Sequence, residues 1–373
     1  MREVNGRVSR LNVLMLNRGF SLTGGVPRVL LTYARTCDKE RVRLHMVSFK
    51  KFAAPMADAM QQAGAEIYEI GDSGYVRPAM RLRKILRRQK IDVVVATSLK
   101  AYLVAKMAAP AGCRVVYWIH AIALVTESRF KSMVYRRAAQ HDTLIFISDL
   151  VKNAHDYPGH MGRGEVVLNG VEDFTTTTPL YDRSKRASLG IPENALVIGY
   201  TAAFIAWKEH RTLLAAFALL ARDHPQMHLA LIGTGDLMEA TQQQARTTAG
   251  GERVHFLGLR PDAREILGTM DIYVQPSNGE GISIAIIEAM LAARPIVVSD
   301  AGALPDMIDD GETGLMCRVL DAEDLAAKIA ALARDQELRR RLGERARAVA
   351  LDRFGAEAFA ARITAILEAE PGG

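Results

Sequence analysis

The stretch Ser277-Asn-Gly-Glu-Gly-Ile-Ser-Ile-Ala-Ile-Ile-Glu-Ala-Met290 contains two glutamates, Glu280 and Glu288, separated by seven residues. The apolar run at 271–276 predicts a short buried strand, and 284–293 predicts a helix. The unit is therefore a strand, a glycine-flanked turn that carries Glu280, and a helix that carries Glu288. Helical side chains lean toward the helix N-terminus, so we expect Glu288 to reach the same mouth that Glu280 lines.

The start of this helix predicts a phosphate site, because its first backbone N–H groups have no intrahelical partner and attract anions. Two hydroxyl-binding carboxylates beside a phosphate site describe a pocket for a nucleotide sugar. The alternative is an ordinary helix with one solvated glutamate and one capping glutamate.

Strand-like apolar runs alternate with helical patterns along the chain, which predicts parallel sheets with helices on both faces. The predicted strands of the first half are 11–16, 44–49, 66–70, 92–97, 114–119, 143–147 and 166–168. Those of the second half are 196–201, 228–232, 254–257, 272–274 and 296–299. Between Glu172 and Pro192 the periodicity stops.

A length of 373 residues suits two domains of ordinary size. We predict an α/β protein with two doubly wound, Rossmann-like domains. The predicted boundaries are an N-terminal domain over 1–175, a linker over 176–192, a C-terminal domain over 193–350 and a final helical segment over 351–373.

Composition excludes several classes of protein. Hydrophobic residues at 49% and charged residues at 24% are globular values, which exclude a disordered chain. The three cysteines are widely spaced, which argues against a disulfide framework or a zinc site and fits a reducing cytoplasm. The start of the chain shows no apolar signal core, and no apolar run reaches transmembrane length. We expect a cytoplasmic protein, soluble or peripheral at the inner face of the membrane.

The charge is distributed unevenly. Residues 1–170 hold 27 Lys and Arg against 13 Asp and Glu, a net charge of +14, and residues 171–373 carry −8. The run Arg77–Lys90 has seven basic residues and no acidic one, and its apolar stripe predicts an amphipathic helix. The residues of that stripe are Met80, Leu82, Ile85 and Leu86. The run is either a solvated helix face or a surface for anionic lipid headgroups or an anionic acceptor. No aromatic interleaving or recognition motif supports nucleic acid.

The segment 277–290, together with Arg294-Pro-Ile-Val-Val-Ser-Asp300, resembles family 4 of the retaining glycosyltransferases, which have the GT-B fold. The resemblance implies two Rossmann-like domains facing a cleft, with the last helix packing back on the first domain. It also implies transfer of a hexose-type sugar from a nucleoside diphosphate sugar, with retention at the anomeric carbon. The acceptor would be a hydroxyl of a glycan or lipid-linked molecule in cell-surface polysaccharide or glycolipid synthesis. The resemblance covers both domains, although its specific motifs are concentrated in residues 196–316.

The resemblance assigns roles in the second domain. Glu288 would hold ribose hydroxyls, Glu280 would hold sugar hydroxyls at the reacting centre, and Lys208 would grip the diphosphate. The backbone N–H groups expected to share that work are those of Gly281, Ile282 and Ser283.

Two positions depart from the family pattern. The segment Ile198–His210 resembles the opening of the family's second domain, where an Arg precedes the Lys by five residues, but the Arg position is Ala203. Losing a guanidinium removes a bidentate phosphate partner. It leaves a weaker donor site, another basic residue supplying the charge, or a degenerate enzyme. Ser283 stands where many members carry Gly or Pro.

Two candidates lie in the first domain. In Ser21–Arg28, Gly24 and Gly25 let the backbone approach a ligand, although a plain strand-to-helix connection also uses glycines. His120 ends a predicted strand, where ligands bind in open α/β sheets, although most histidines are structural. The resemblance places the glycines over the donor phosphates and His120 against the donor sugar, in a catalytic position.

No Asp-x-Asp pair occurs, so the metal-binding motif of the other glycosyltransferase fold is missing, and neither a metal nor a cofactor is indicated. Two alternative functions stay open. One is a sugar-nucleotide epimerase of the same architecture. The other is a non-catalytic GT-B binding protein, which Ala203 supports best.

Overall fold

The computed structural model describes residues 10–21, 24–120, 142–154 and 164–369, together with the backbone of 3–4 and 7–8. Some predictions include residues outside these ranges, such as Leu22 and Thr23 of the first glycine loop. At those residues the predictions lie outside the described part of the chain. The chain divides into two compact units. One unit is Met1–Gly170 with Ala356–Gly373, and the other is Val171–Gly355.

The first unit is built on a seven-stranded parallel sheet. Its strands are β3 (Leu11–Asn17), β4 (Val42–Ser48), β5 (Glu66–Glu69), β6 (Val93–Ala96), β7 (Arg114–Ile119), β8 (Thr143–Phe146) and β9 (Gly164–Val166). Two short strands, β1 (Glu3–Val4) and β2 (Arg7–Val8), pair antiparallel outside it. The helices are α1 (Gly25–Thr36), α2 (Ala54–Gln62), α3 (Val76–Arg88), α4 (Leu99–Ala108), α5 (Asp149–Ala154) and α12 (Ala356–Glu368).

The order of this sheet is β5-β4-β3-β6-β7-β8-β9. The apolar runs form its strands because a parallel sheet buries both faces, and residues 13–16 of β3 are completely buried. All seven predicted strands are present. β9 begins two residues before the prediction.

Helix α3 covers most of the basic run Arg77–Lys90, but its packed face differs from the predicted stripe. The buried residues are Pro78, Ala79, Leu82 and Leu86. Met80 is 68% exposed. Since Met80 lies two residues from Leu82, a helix places the two side chains on opposite sides.

The second unit is built on a six-stranded parallel sheet of order β12-β11-β10-β13-β14-β15. The strands are β10 (Leu196–Thr201), β11 (Met227–Ile232), β12 (Val254–Gly258), β13 (Ile272–Gln275), β14 (Ile296–Ser299) and β15 (Leu315–Cys317). The helices are α6 (His210–Ala221), α7 (Met238–Thr247), α8 (Ala263–Leu267), α9 (Ile284–Leu291), α10 (Ala322–Arg334) and α11 (Gln336–Arg353). Short 3₁₀ helices span Phe174–Thr176, Arg183–Leu189, Ala206–Lys208 and Gly251–Arg253.

The segment predicted as a linker, 176–192, differs from that prediction in its packing. It contains the 3₁₀ helix Arg183–Leu189, and the Arg186 side chain there is fully buried. The guanidinium donates to Asp271 Oδ2 at 2.8 Å and to the Thr269 carbonyl at 2.7 Å. The segment belongs to the second unit because a buried cation of this kind needs its carboxylate and carbonyl partners.

The chain returns to the first unit at α12. The hydroxyls of Tyr33 and Thr364 lie 3.0 Å apart, and the guanidinium of Arg41 donates to Glu368. The Phe359 ring lies 5.8 Å from that of Trp118. Residues 356–369 are therefore packed on the first sheet and its helix α1.

The predicted fold class, two doubly wound α/β domains, is confirmed. Strand β15 was not predicted, because its three apolar residues are fewer than the four to eight that mark a strand in a sequence. No helix within the described ranges is long and apolar enough to cross a membrane.

Candidate active site

The topology of the second sheet places the candidate residues next to one another. β10 and β13 are neighbours, and the strand order runs away from them in both directions. Such a switch point opens a crevice at the carboxyl ends of the two strands, where α/β proteins bind ligands. Lys208 lies in the connection after β10, and Glu280 lies in the connection after β13.

Lys208 and Glu280 form an ion pair between Lys208 Nζ and Glu280 Oε1. Both side chains are mostly buried, with 17% and 13% of their surface exposed. The Tyr200 hydroxyl donates to the Lys208 carbonyl at 2.8 Å and so holds the backbone of the lysine. Burial raises the pKa of Tyr200, so it remains a hydrogen-bond donor near neutral pH. The structure thus brings the predicted phosphate-binding lysine and the predicted sugar-binding carboxylate together.

The turn that carries Glu280 is held by the backbone on both sides. The Asn278 N–H donates to the Trp207 carbonyl at 2.7 Å, and the Ala303 N–H donates to the Glu280 carbonyl at 2.8 Å. Gly302 has φ +64°, and a Cβ there would lie 2.4 Å from the Glu280 nitrogen. Sequence reasoning missed Gly302, whose only signal is its place just after the predicted strand that ends at Ser299.

The start of α9 offers fewer free N–H groups than predicted. The Ser283 hydroxyl caps the helix by accepting from the Ile286 N–H at 3.5 Å. The Ser283 N–H itself points to Met307 Sδ at 3.4 Å, so it is partly engaged. The N–H groups of Gly281 and Ile282 have no acceptor among the described residues. These two amides are therefore available to an anion.

Glu288 lies in α9 as predicted, but it is deeply buried and has a partner that sequence reasoning missed. Its side chain is 3% exposed, and Oε1 accepts from Arg264 Nε at 2.7 Å. Burial raises the pKa of Tyr273, and the charges of both Glu288 and Glu280 raise it further. Both carboxylates are therefore near enough to the Tyr273 hydroxyl to disfavour its ionisation.

Ala203 is exposed and its surroundings are tightly packed. The Gly-x-Gly turn after β11 lies against the segment 202–204. A Cβ on Gly233 would lie 1.9 Å from the Ala202 carbonyl oxygen, and one on Gly235 would lie 2.5 Å from that of Phe204. These glycines therefore have a packing role against the backbone of 202–204, while Ala203 itself is exposed.

The first unit places its candidates at the carboxyl ends of β3 and β7. Gly25 opens α1, and a Cβ there would meet nothing within 4 Å. Gly24 is the N-cap of α1, and a Cβ there would crowd Pro27 at 2.9 Å. Gly25 thus leaves open space for a ligand, whereas Gly24 is needed for the turn.

His120 directly follows β7, with its ring 4.9 Å from that of Trp118. Its Nε2 is buried and has no partner within the described part of the chain. Burial lowers the pKa of His120 to about 3, so the imidazole is neutral near neutral pH. Among the described residues, no group of three or more His, Cys, Asp or Glu could hold a metal ion.

Comparison with known proteins agrees with this arrangement. The family model "Glycosyl transferases group 1" matches residues 182–349, and the model "Glycosyltransferase Family 4" matches residues 23–173. The chain is 31% identical over 186 residues to the lipopolysaccharide core biosynthesis glycosyltransferase LpsE of Rhizobium meliloti, covering 50% of this chain and 54% of LpsE. It is 24% identical over 288 residues to the N-acetyl-alpha-D-glucosaminyl L-malate synthase of Bacillus anthracis, covering 75% of each.

The fold resembles that of Anabaena HepE in complex with UDP and glucose. The TM-score is 0.83 at 23% identity, over 97% of this chain and all of the HepE chain.

The two parallel sheets and their helices thus define a GT-B fold. Since the two models together span most of the chain, it belongs to the group 1 glycosyltransferases. The resemblance found in the sequence is confirmed at this level.

Proposed function

We propose that the protein transfers a hexose-type sugar from a nucleoside diphosphate sugar to a hydroxyl group of a glycan or lipid-linked acceptor. The product would retain the configuration of the donor's anomeric carbon. The observation that carries the proposal is the Lys208–Glu280 ion pair beside the free amides of Gly281 and Ile282. This site combines a cation and N–H donors for a diphosphate with a carboxylate for sugar hydroxyls.

The main negative charge that the site has to stabilise during the reaction is that of the departing diphosphate. Lys208 and the amides of Gly281 and Ile282 would stabilise the negative charge that develops as the glycosidic bond breaks. Preorganised donors of this kind lower a barrier more than water does, because they need no reorganisation. When the donor binds, Lys208 shares its protons between the phosphate and Glu280.

The two carboxylates would serve hydroxyl groups. Lys208 and Gln275 both donate to Glu280 Oε1 and so hold the carboxylate in place. A carboxylate held in this way suits a residue that accepts from a sugar hydroxyl. Glu288 would accept from ribose hydroxyls while Arg264 compensates its charge. We propose that the acceptor hydroxyl attacks from the same face that the diphosphate leaves.

The first unit would take the acceptor, and the resemblance also gives two of its residues roles toward the donor. A neutral His120 can exchange one hydrogen bond with a sugar hydroxyl near the reacting carbon. The backbone at Gly25 would approach the donor phosphates, and the absence of any atom within 4 Å of a Cβ there supports this role. The net charge of +14 over residues 1–170 favours an anionic acceptor.

Helix α3 supports a site of action at the inner face of the membrane. Val76 and Met80 are 61% and 68% exposed, and they lie among the exposed basic side chains of Arg77, Arg83 and Lys84. Apolar side chains within a basic face suit an interface with anionic lipid headgroups. A lipid-linked acceptor would then be presented on the same surface.

The experiment incubates the purified full chain with radiolabelled UDP, GDP and ADP sugars, with and without a membrane lipid extract. UDP-glucose is the first donor to try, since HepE has been crystallised with UDP and glucose. We expect label to move to an acceptor, and NMR of the product to show the donor's anomeric configuration. Conversion of the donor sugar without any acceptor would indicate an epimerase. Tight nucleotide-sugar binding without turnover would indicate a binding protein.

A further inference from the structure

A buried amide lies beneath the Glu280 turn. Gln275 is the last residue of β13, and only 1% of it is exposed. A primary amide removed from water in this way costs free energy unless its oxygen and nitrogen both find partners. The partners of Gln275 therefore show what the site requires at this position.

The hydrogen-bond pattern fixes the orientation of this amide. Gln275 Nε2 lies 3.1 Å from Glu280 Oε1, and Gln275 Oε1 lies 3.1 Å from Ser283 Oγ. An ionised carboxylate can only accept, so the nitrogen of Gln275 faces Glu280 and its oxygen faces Ser283. The serine hydroxyl then donates to Gln275 and accepts from the Ile286 N–H. One amide thus connects the strand end, the turn and the first turn of α9.

The two carboxylate oxygens of Glu280 differ in their hydrogen bonds. Oε1 accepts from both Lys208 and Gln275. Oε2 has no hydrogen-bond partner in the described part of the chain. Since Lys208 would divide its protons between Glu280 and a bound phosphate, Gln275 is the donor whose hydrogen bond to Oε1 the phosphate leaves unchanged.

We propose that Gln275, supported by Ser283, is a positioning and specificity residue that holds Glu280 so that Oε2 accepts from one hydroxyl of the donor sugar. This inference rests on the proposed function of the site as a nucleotide-sugar pocket. A carboxylate fixed in this way accepts a hydroxyl in one configuration and is left unpaired by a sugar that lacks it. Sites built to bond a hydroxyl reject such an analogue far more strongly than sites that merely enclose it.

The test compares the wild-type chain with Gln275→Met, which keeps the length of the side chain. It removes the hydrogen bond to Glu280, the one from Ser283 and a longer one from the Tyr273 hydroxyl at 3.5 Å. Calorimetry gives the affinity for UDP and for UDP-glucose, and turnover is compared for UDP-glucose and its deoxy analogues. We expect Gln275→Met to bind UDP with the wild-type affinity. Its affinity for UDP-glucose should be about tenfold lower than that of the wild type, because the contact with the sugar is weakened. It should also discriminate less between glucose and deoxyglucose donors. Ser283→Ala should lose part of the same discrimination.

A matched control is Thr269→Val, which removes a buried hydroxyl of the same unit, one that donates to the Ile266 carbonyl. It reports any general loss of stability and should leave sugar discrimination unchanged. If Gln275→Met unfolds, Gln275→Leu takes its place, since a shorter apolar side chain also cannot donate to Glu280. Wild-type discrimination in the folded variant would overturn the role of Gln275. A wild-type chain that binds no UDP, GDP or ADP sugar would instead overturn the proposed function itself.

Discussion

At the residue scale, Ala203 is the position where a glycosyltransferase of this group would be expected to carry a guanidinium. The site contains Lys208 on the same connection, but Lys208 is paired with Glu280. Arg264 is a second cation in contact with a site carboxylate, and it is paired with Glu288. The donor site therefore has cations whose charge is already shared with carboxylates.

Ala203→Arg should strengthen binding of a nucleoside diphosphate, because Ala203 is exposed and a new side chain can extend without displacing the core. A restored charge-assisted hydrogen bond should contribute about 1.5 kcal/mol, roughly tenfold in Kd. Calorimetry with UDP measures it. Ala327→Arg, at an exposed position of α10, adds the same charge elsewhere and should leave Kd unchanged. Weaker binding by Ala203→Arg would show that the pocket is shaped around the alanine.

Glu288→Gln should weaken nucleotide binding, because an amide is a poorer acceptor for ribose hydroxyls and leaves Arg264 without its counter-charge. Losing one charged acceptor should cost about 1.5–3 kcal/mol of binding free energy. The measurement is the Kd for UDP, with Glu344→Gln on the exposed face of α11 as the control. An unchanged Kd in a folded Glu288→Gln chain would remove Glu288 from the site.

At the scale of elements, the start of α6 contains a buried titratable group. His210 is stacked on Phe204, with ring centroids 4.0 Å apart, and lies 4.9 Å from the ring of Tyr200. Burial, with a smaller contribution from the Lys208 charge, lowers its pKa to about 4. The folded protein therefore keeps His210 neutral over a pH range in which an unfolded chain protonates it.

The free energy of unfolding should fall as the pH decreases from about 6.5 to about 4, because only the unfolded state then binds the proton. Above pH 6.5 the contribution is fully present, and its loss over the window amounts to about 3 kcal/mol. His210→Phe keeps the stack without the titration, so its unfolding free energy should depend less on pH by that amount. Urea unfolding at pH 7.5, 5.5 and 4.5 measures the difference. Equal pH dependence in the two chains would contradict the assignment.

The sequence predicts a strand or a helix correctly where the pattern that marks it lies within the segment itself. A parallel strand buried on both faces reads as an apolar run, so β7, β10 and β14 were found with their observed bounds. β15 has only three residues and takes its place from pairing with β14.

The candidate site was predicted only in part. Lys208 and Glu280 were identified from their motifs. Arg264, Gln275 and Gly302 were missed, because their roles depend on contacts between separate segments that no local pattern encodes.

At the scale of the whole molecule, the charge asymmetry makes a prediction about location. Residues 1–170 carry +14, and the exposed part of α3 combines basic and apolar side chains. Each basic residue near an anionic surface contributes about 1 kcal/mol, and salt screens the attraction beyond about 8 Å. Binding of the protein to vesicles should therefore rise with the fraction of anionic lipid and fall steeply with salt.

A co-sedimentation experiment with phosphatidylcholine vesicles, with and without phosphatidylglycerol, checks this. The α3 variant replaces four basic residues by Gln: Arg83, Lys84, Arg87 and Arg88. The control replaces four exposed arginines of the second unit: Arg211, Arg222, Arg246 and Arg341. We expect only the α3 variant to lose binding, with nucleotide affinity unaffected. Equal binding of the wild-type chain to neutral and anionic vesicles would exclude the membrane surface.

The return of α12 to the first unit has a consequence for how the protein is made. The first unit comprises Met1–Gly170 and Ala356–Gly373, so the ribosome must translate all of Val171–Gly355 before α12 emerges. At about 5–20 residues per second, that interval lasts about 10–40 s. Throughout it, the nascent chain exposes the face of α1 and β7 that Phe359 and Thr364 will cover. The part of the chain that is synthesised first can therefore complete its fold only after the second unit has been made, and until then it exposes apolar surface of the kind that chaperones bind.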